Sequence, residues 1–168
     1  MKKIDTLLNH IEEIIVSITL ALGVSITFFE IILRIFNATL GFSFEASIYL
    51  LITCGLIGAS IGVRDKVHIG IDIIVKQFPT LIQKMIGVGA LSLCTLFCII
   101  ITILGIQHIQ ILYDFGQVTP EMEIPVYIPK SIIPIAFGLM SIRFLQTLIR
   151  YVKKPIHQLR QQEVGEDL

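Results

Sequence analysis

Four long apolar runs, each close to the length of a bilayer crossing, dominate this chain of 168 residues. A helix rises 1.5 Å per residue, so about 20 mainly apolar residues cross a hydrocarbon core of about 30 Å. The first run extends over residues 14–36, and only Glu30 and Arg34 place charge inside it. The second, 46–63, and the third, 85–106, carry no charge, while the fourth, 126–148, has Lys130 near its start and Arg143 near its end. Apolar residues make up 54% of the chain and charged residues 15%, where a soluble domain carries about 25% charge. Lipid offers no partner for backbone polar groups, so the runs are predicted as helices, and they are too long and too evenly apolar for barrel strands. The expected fold is all-α: one polytopic membrane domain over 1–168 with four transmembrane helices.

The positive residues give these spans a direction. Lys2 and Lys3 precede the first span, Arg64, Lys66, Lys76 and Lys84 lie between the second and third, and Arg143, Arg150, Lys153, Lys154 and Arg160 end the chain. The other side holds Arg34 and Lys130 alone, an eleven-to-two division of the 13 Lys and Arg. Positive charge is retained on the cytoplasmic side, so both termini and the middle loop are expected inside. The first run exceeds the roughly 7–15 residues of a signal-peptide core and lacks a small-residue cleavage site, so it reads as a retained span.

The segments between the spans have their own patterns. Residues 67–78, VHIGIDIIVKQF, mix apolar and polar positions and are predicted as a short interfacial amphipathic helix. Residues 119–134 hold Pro120, Pro125, Pro129 and Pro134; prolines fix φ and remove donors, so a stiff extended entry with a helix start near Pro129 is expected. Residues 152–168 read as a polar cytoplasmic tail.

Few residues offer chemistry. Glu30 is the one acid well inside a span; it is either a proton- or cation-binding group or the structural partner of Arg34, four residues on. Arg143 and Arg150 share a face and can snorkel to headgroups, with Glu12 and Glu13 at the same depth as partners. Gly55, Gly58, Ala59 and Gly62 recur at spacings of three and four, which lets a helix backbone approach closely in lipid, from this bundle or from another protein. Cys94 and Cys98 share a helix face without a His or acid within a turn, and they read as small packing residues rather than a metal pair. His68 and Asp72, four apart, are too few for a metal site. No cofactor is expected, and with zero formal net charge nucleic acid is not an expected partner. The chain lacks the parts of an enzyme and the discontinuous polar helices of a self-sufficient transporter.

Arg34-x-Phe36 ends the first span and Glu45 opens the second. Gly58-Ala59-Ser60 leads to Val63-Arg64, then His68-Ile69-Gly70-Ile71-Asp72; Ile124-Pro125, Pro129 and Pro134 precede the fourth span with its Arg143. In this order, from about Ile14 to Tyr151, the chain resembles the small membrane subunit, of DctQ type, of tripartite ATP-independent periplasmic (TRAP) transporters. It departs from that pattern in having no tryptophan, which leaves interfacial anchoring to Tyr and Phe.

The resemblance implies a non-catalytic subunit that pairs with a large TRAP membrane subunit and enlarges the static scaffold for sodium-coupled uptake of an organic acid. A periplasmic substrate-binding protein would deliver that acid, and membrane lipids would cover the remaining surface. Arg34, Glu45, Pro125 and Pro129 would then face the periplasm and the binding protein. Gly55, Gly58, Ala59, Gly62, Arg64, His68 and Asp72 would meet the large subunit or lipid, and Arg143 completes the candidate interface set. The alternative is a stand-alone proton-coupled transporter working as a homodimer through Glu30; a four-helix membrane enzyme built on Arg64, Asp65 and His68 is the third reading.

Overall fold

The computed structural model describes residues 2–64 and 80–153, with side chains over 8–63 and 82–153. Its elements are α1 (Lys2–Ile35), α2 (Ser43–Arg64), α3 (Thr80–Asp114), α4 (Tyr127–Lys130) and α5 (Ile132–Lys153). Four helical stretches are long and apolar enough to cross a membrane: Leu8–Ile35, Ser43–Val63, Ile82–Asp114 and Tyr127–Lys153. The all-α, four-span reading is therefore what the structure shows. Predicted residues 67–78 and the tail beyond 153 lie outside the described residues.

The helices outrun the apolar stretches. A helix stops where its backbone is capped rather than where apolarity ends. α1 closes at Asn37, whose φ of 56° is left-handed. There Ala38 N–H donates to the Leu33 carbonyl at 3.0 Å and Asn37 N–H to that of Arg34 at 3.1 Å, a Schellman closure. α3 runs on through Gln107–Asp114 and closes at Gly116, φ 58°, whose N–H donates to the Tyr113 carbonyl. Glycine there avoids the Cβ clash of a left-handed backbone.

The contacts run α1 to α2, α2 to α5, and α5 to α3, so the spans lie as two antiparallel pairs joined along an α2–α5 seam. In the first pair Gly23 faces Leu50 and Leu51, which a Cβ at that position would meet at 3.5 Å, and the Thr27 hydroxyl donates to Ser47 Oγ at 3.2 Å. In the second, Gly87 sits under the Tyr151 ring and Gly105 under Pro134. Small residues carry such interfaces in lipid, where burial of apolar side chains gives no drive of its own. The core is a cluster of Val63, Cys98, Ala136, Met140 and Phe144 from α2, α3 and α5, with Cys94 packed against it. The two cysteines are thus packing residues, and no group of three metal-ligating side chains occurs among the described residues. α1 and α3, at the edges of the row, expose most of their apolar side chains.

Residues 117–126 are not the extended entry that their prolines suggested. Val118 and Pro125 form an isolated antiparallel bridge; Thr119 N–H donates to the Ile124 carbonyl at 2.8 Å and Val126 N–H to that of Gln117 at 2.9 Å. Proline cannot donate, but here the donors are the neighbours of Pro120 and Pro125, so the chain folds back between them. Glu123 takes the left-handed position of the turn, φ 54°. This hairpin leads into α4, which contains Pro129, and then α5, whose third residue is Pro134.

Candidate functional site

Polar side chains gather at the two ends of the helix row. At the end opposite the hairpin, α5 points Arg143 into the seam. Arg143 Nη2 donates to Glu12 Oε2 at 3.0 Å and to Asn9 Oδ1 at 2.7 Å, both on α1. The other Glu12 oxygen accepts the Ser60 hydroxyl of α2 at 3.1 Å. Three helices therefore meet on one ion pair, with Ser60 fully sealed and Glu12 and Arg143 3% and 7% exposed. The pairing with Glu12 follows the sequence reading, but Arg143 is buried instead of snorkelling to headgroups. Charges so desolvated hold only if every partner is in place.

At the hairpin end, Glu45 begins α2 and its carboxylate is buried. Oε2 accepts the N–H of Glu121 and of Met122, both at 3.0 Å, and Oε1 accepts the Tyr49 hydroxyl at 3.2 Å. The Glu121 carboxylate in return accepts the Glu45 N–H at 3.0 Å, one of the orphan donors of the α2 N-terminus. Thr119, almost fully buried, accepts the Ile124 N–H through its hydroxyl. Glu45 thus spends its charge inside the chain, shaping the hairpin from beneath.

Glu30 accepts the Leu40 N–H at 3.0 Å and lies 3.8 Å from Arg34, whose side chain is 76% exposed. Its principal partner is a backbone amide of the loop into α2, and Arg34 is the looser contact. The glycine stripe behaves differently from the other candidates. A Cβ at Gly55, Gly58 or Gly62 would meet nothing within 4 Å among the described residues, and Ala59 is exposed beside them. These positions follow Phe44, Ile48, Leu51 and Ile52 down one exposed face of α2, bulky near the hairpin end and bare at the other. Pro125 and Pro129 are half-buried within the hairpin and α4. Arg64 ends α2, with its side chain outside the described residues, as are His68 and Asp72 entirely.

Among the described residues the candidates form no single constellation: Arg143 lies at one end, Arg34, Glu45, Pro125 and Pro129 at the other, and the small residues along one helix. Sequence reasoning missed Asn9, Tyr49, Thr119 and Glu121 as partners. Only Glu45 in a helix's first turn signalled that an acid there engages backbone amides.

Comparison with known proteins adds to this geometry. The family model "Tripartite ATP-independent periplasmic transporters, DctQ component" matches residues 23–154. The C4-dicarboxylate TRAP transporter small permease protein DctQ of Vibrio cholerae is 26% identical over 161 residues, 82% of this chain and 69% of that protein. The protein of the same name from Rhodobacter capsulatus is 28% identical over 109 residues, 65% of this chain and 48% of that one. The isethionate TRAP transporter permease protein DctMQ of Oleidesulfovibrio alaskensis is 26% identical over 111 residues, 65% of this chain but 17% of that much longer protein.

Proposed function

The chain belongs to the DctQ family of TRAP transporter components, and on that premise we propose that it is a scaffold for the large TRAP membrane subunit during sodium-coupled uptake of an organic acid. The observation that carries the reading is the DctMQ relative, in which a segment like this chain shares one polypeptide with a far larger remainder. A permanent covalent link makes sense where the two parts work side by side. The bare Gly55–Gly58–Gly62 stripe supports it, because a backbone left open in lipid favours a close-packed helix from outside.

On this reading both termini are cytoplasmic, which the eleven-to-two division of positive residues supports. The hairpin and Arg34 then face the periplasm, where a substrate-binding protein docks. Glu45 serves that surface indirectly, by holding the hairpin in place. The substrates named for the relatives described above, a C4-dicarboxylate and isethionate, are both organic acids, and a further relative is named for ectoine. Which acid this system carries is set in the larger partner and the binding protein.

Affinity purification of the tagged chain, co-produced with its large membrane partner, tests the proposal. Recovery of the two in a fixed ratio, with uptake in vesicles only when both and the binding protein are present, is the expected result. Uptake by this chain alone as a homo-oligomer would overturn it.

A further inference from the structure

The two helix pairs of this chain share one seam, and polar contacts close it at both ends. Arg143, Glu12, Asn9 and Ser60 do so at the end opposite the hairpin. We propose that Glu45 and Glu121 form a crossed clasp, each carboxylate holding its own backbone amides, that ties the hairpin to the start of α2 and closes the seam at the other end.

The clasp has an unusual construction. Two glutamates meet across 76 residues of sequence, and neither has a cation partner among the described residues. Each carboxylate is satisfied by backbone amides of the other's segment: Glu45 takes two N–H groups of the hairpin, and Glu121 takes one from the first turn of α2. A carboxylate at a helix N-terminus is favoured by the helix dipole, so Glu121 is stabilised where a like charge from Glu45 would otherwise repel it. The Tyr49 hydroxyl, one turn below, fixes the remaining Glu45 oxygen. The hairpin hangs covalently between α3 and α5, while Glu45 belongs to the α1–α2 pair, so these bonds cross from one pair to the other. Apolar packing alone would leave this end loose, because lipid solvates apolar side chains as well as a neighbouring helix does.

Residue-resolved amide hydrogen exchange on the full chain in lipid nanodiscs tests the clasp, since the two carboxylates protect different amides. Glu45→Ala is expected to speed exchange at Glu121 and Met122 roughly tenfold or more, the loss of a charge-assisted hydrogen bond. Thr119 and Val126, held by the hairpin's own backbone bonds, should change less. Glu121→Ala should instead speed exchange at residue 45 and leave Met122 protected. Glu45→Gln, which keeps an acceptor oxygen and guards against a fold lost in the alanine variant, should give the first pattern in weaker form. Unchanged exchange at 121 and 122, or equal acceleration throughout the hairpin and α2 from either variant, would overturn the proposal.

Discussion

Arg143 and Glu12 stand 131 residues apart in the chain and 3.0 Å apart in the fold. Their side chains are 8% and 3% exposed, so neither charge can turn to water when the other is lost. Removing one partner of a buried pair costs about 3–5 kcal/mol, chiefly from the stranded charge. Arg143→Met is therefore expected to melt far below the wild type in detergent, followed by fluorescence or light scattering. The double variant Arg143→Met with Glu12→Leu strands no charge and should recover most of that loss. A double variant as unstable as the single one would mean that the charges themselves, not their stranding, set the stability.

Glu30 separates the scaffold reading from a proton-coupled carrier. Its carboxylate accepts the Leu40 N–H and so closes the loop into α2. Glutamine keeps a carbonyl oxygen for that amide but has no titrating proton. Glu30→Gln is expected to leave both the melting temperature and uptake by the assembled transporter close to wild type. A proton-coupled carboxylate would lose uptake altogether in the same assay.

The glycines divide into two sets with opposite expected behaviour. A Cβ on Gly105 would lie 3.1 Å from the rigid ring of Pro134, so Gly105→Leu overpacks the α3–α5 pair at about 1–3 kcal/mol. That loss should appear in the isolated subunit. Gly58 faces open space among the described residues. Gly58→Leu should leave the isolated subunit's melting unchanged and reduce its recovery with the large partner. Equal recovery of partner by wild type and Gly58→Leu would remove the stripe from the interface.

Much of this was legible before any coordinates. Apolar length and charge placement announce four helices because lipid permits few other solutions. The Glu12–Arg143 pair was foreseeable because both charges sit at the same depth near one membrane face. The hairpin was not, since Pro120 and Pro125 argue against pairing until one sees that Thr119 and Val126 supply the donors. Nor was the fate of Glu45 legible: an acid at a helix start announces amide partners, but not that they come from a loop 76 residues away. The row order of the helices also escaped the sequence. In lipid all apolar faces look alike, and among the described residues Gly23, Gly87, Gly105 and Gly138, each set against a neighbouring helix, mark where helices meet.

Topology supplies the last prediction. On the proposed orientation, argued from the division of positive residues, the hairpin stands outside the cell and the segment between α2 and α3 inside. Gln117 is exposed at the base of the hairpin, and its side chain makes no described contact there, so a Gln117→Cys variant presents a thiol without disturbing the bonds that close the turn. Replacing Cys54, Cys94 and Cys98 by alanine removes the native thiols, all of which lie within the spans. In intact cells whose outer membrane has been made permeable, a membrane-impermeant maleimide is expected to label Gln117→Cys. A Lys76→Cys variant should react only after the inner membrane is opened. Labelling of Lys76→Cys in the intact state, with Gln117→Cys protected, would invert the chain in the membrane. The hairpin would then stand on the wrong side to meet any periplasmic protein.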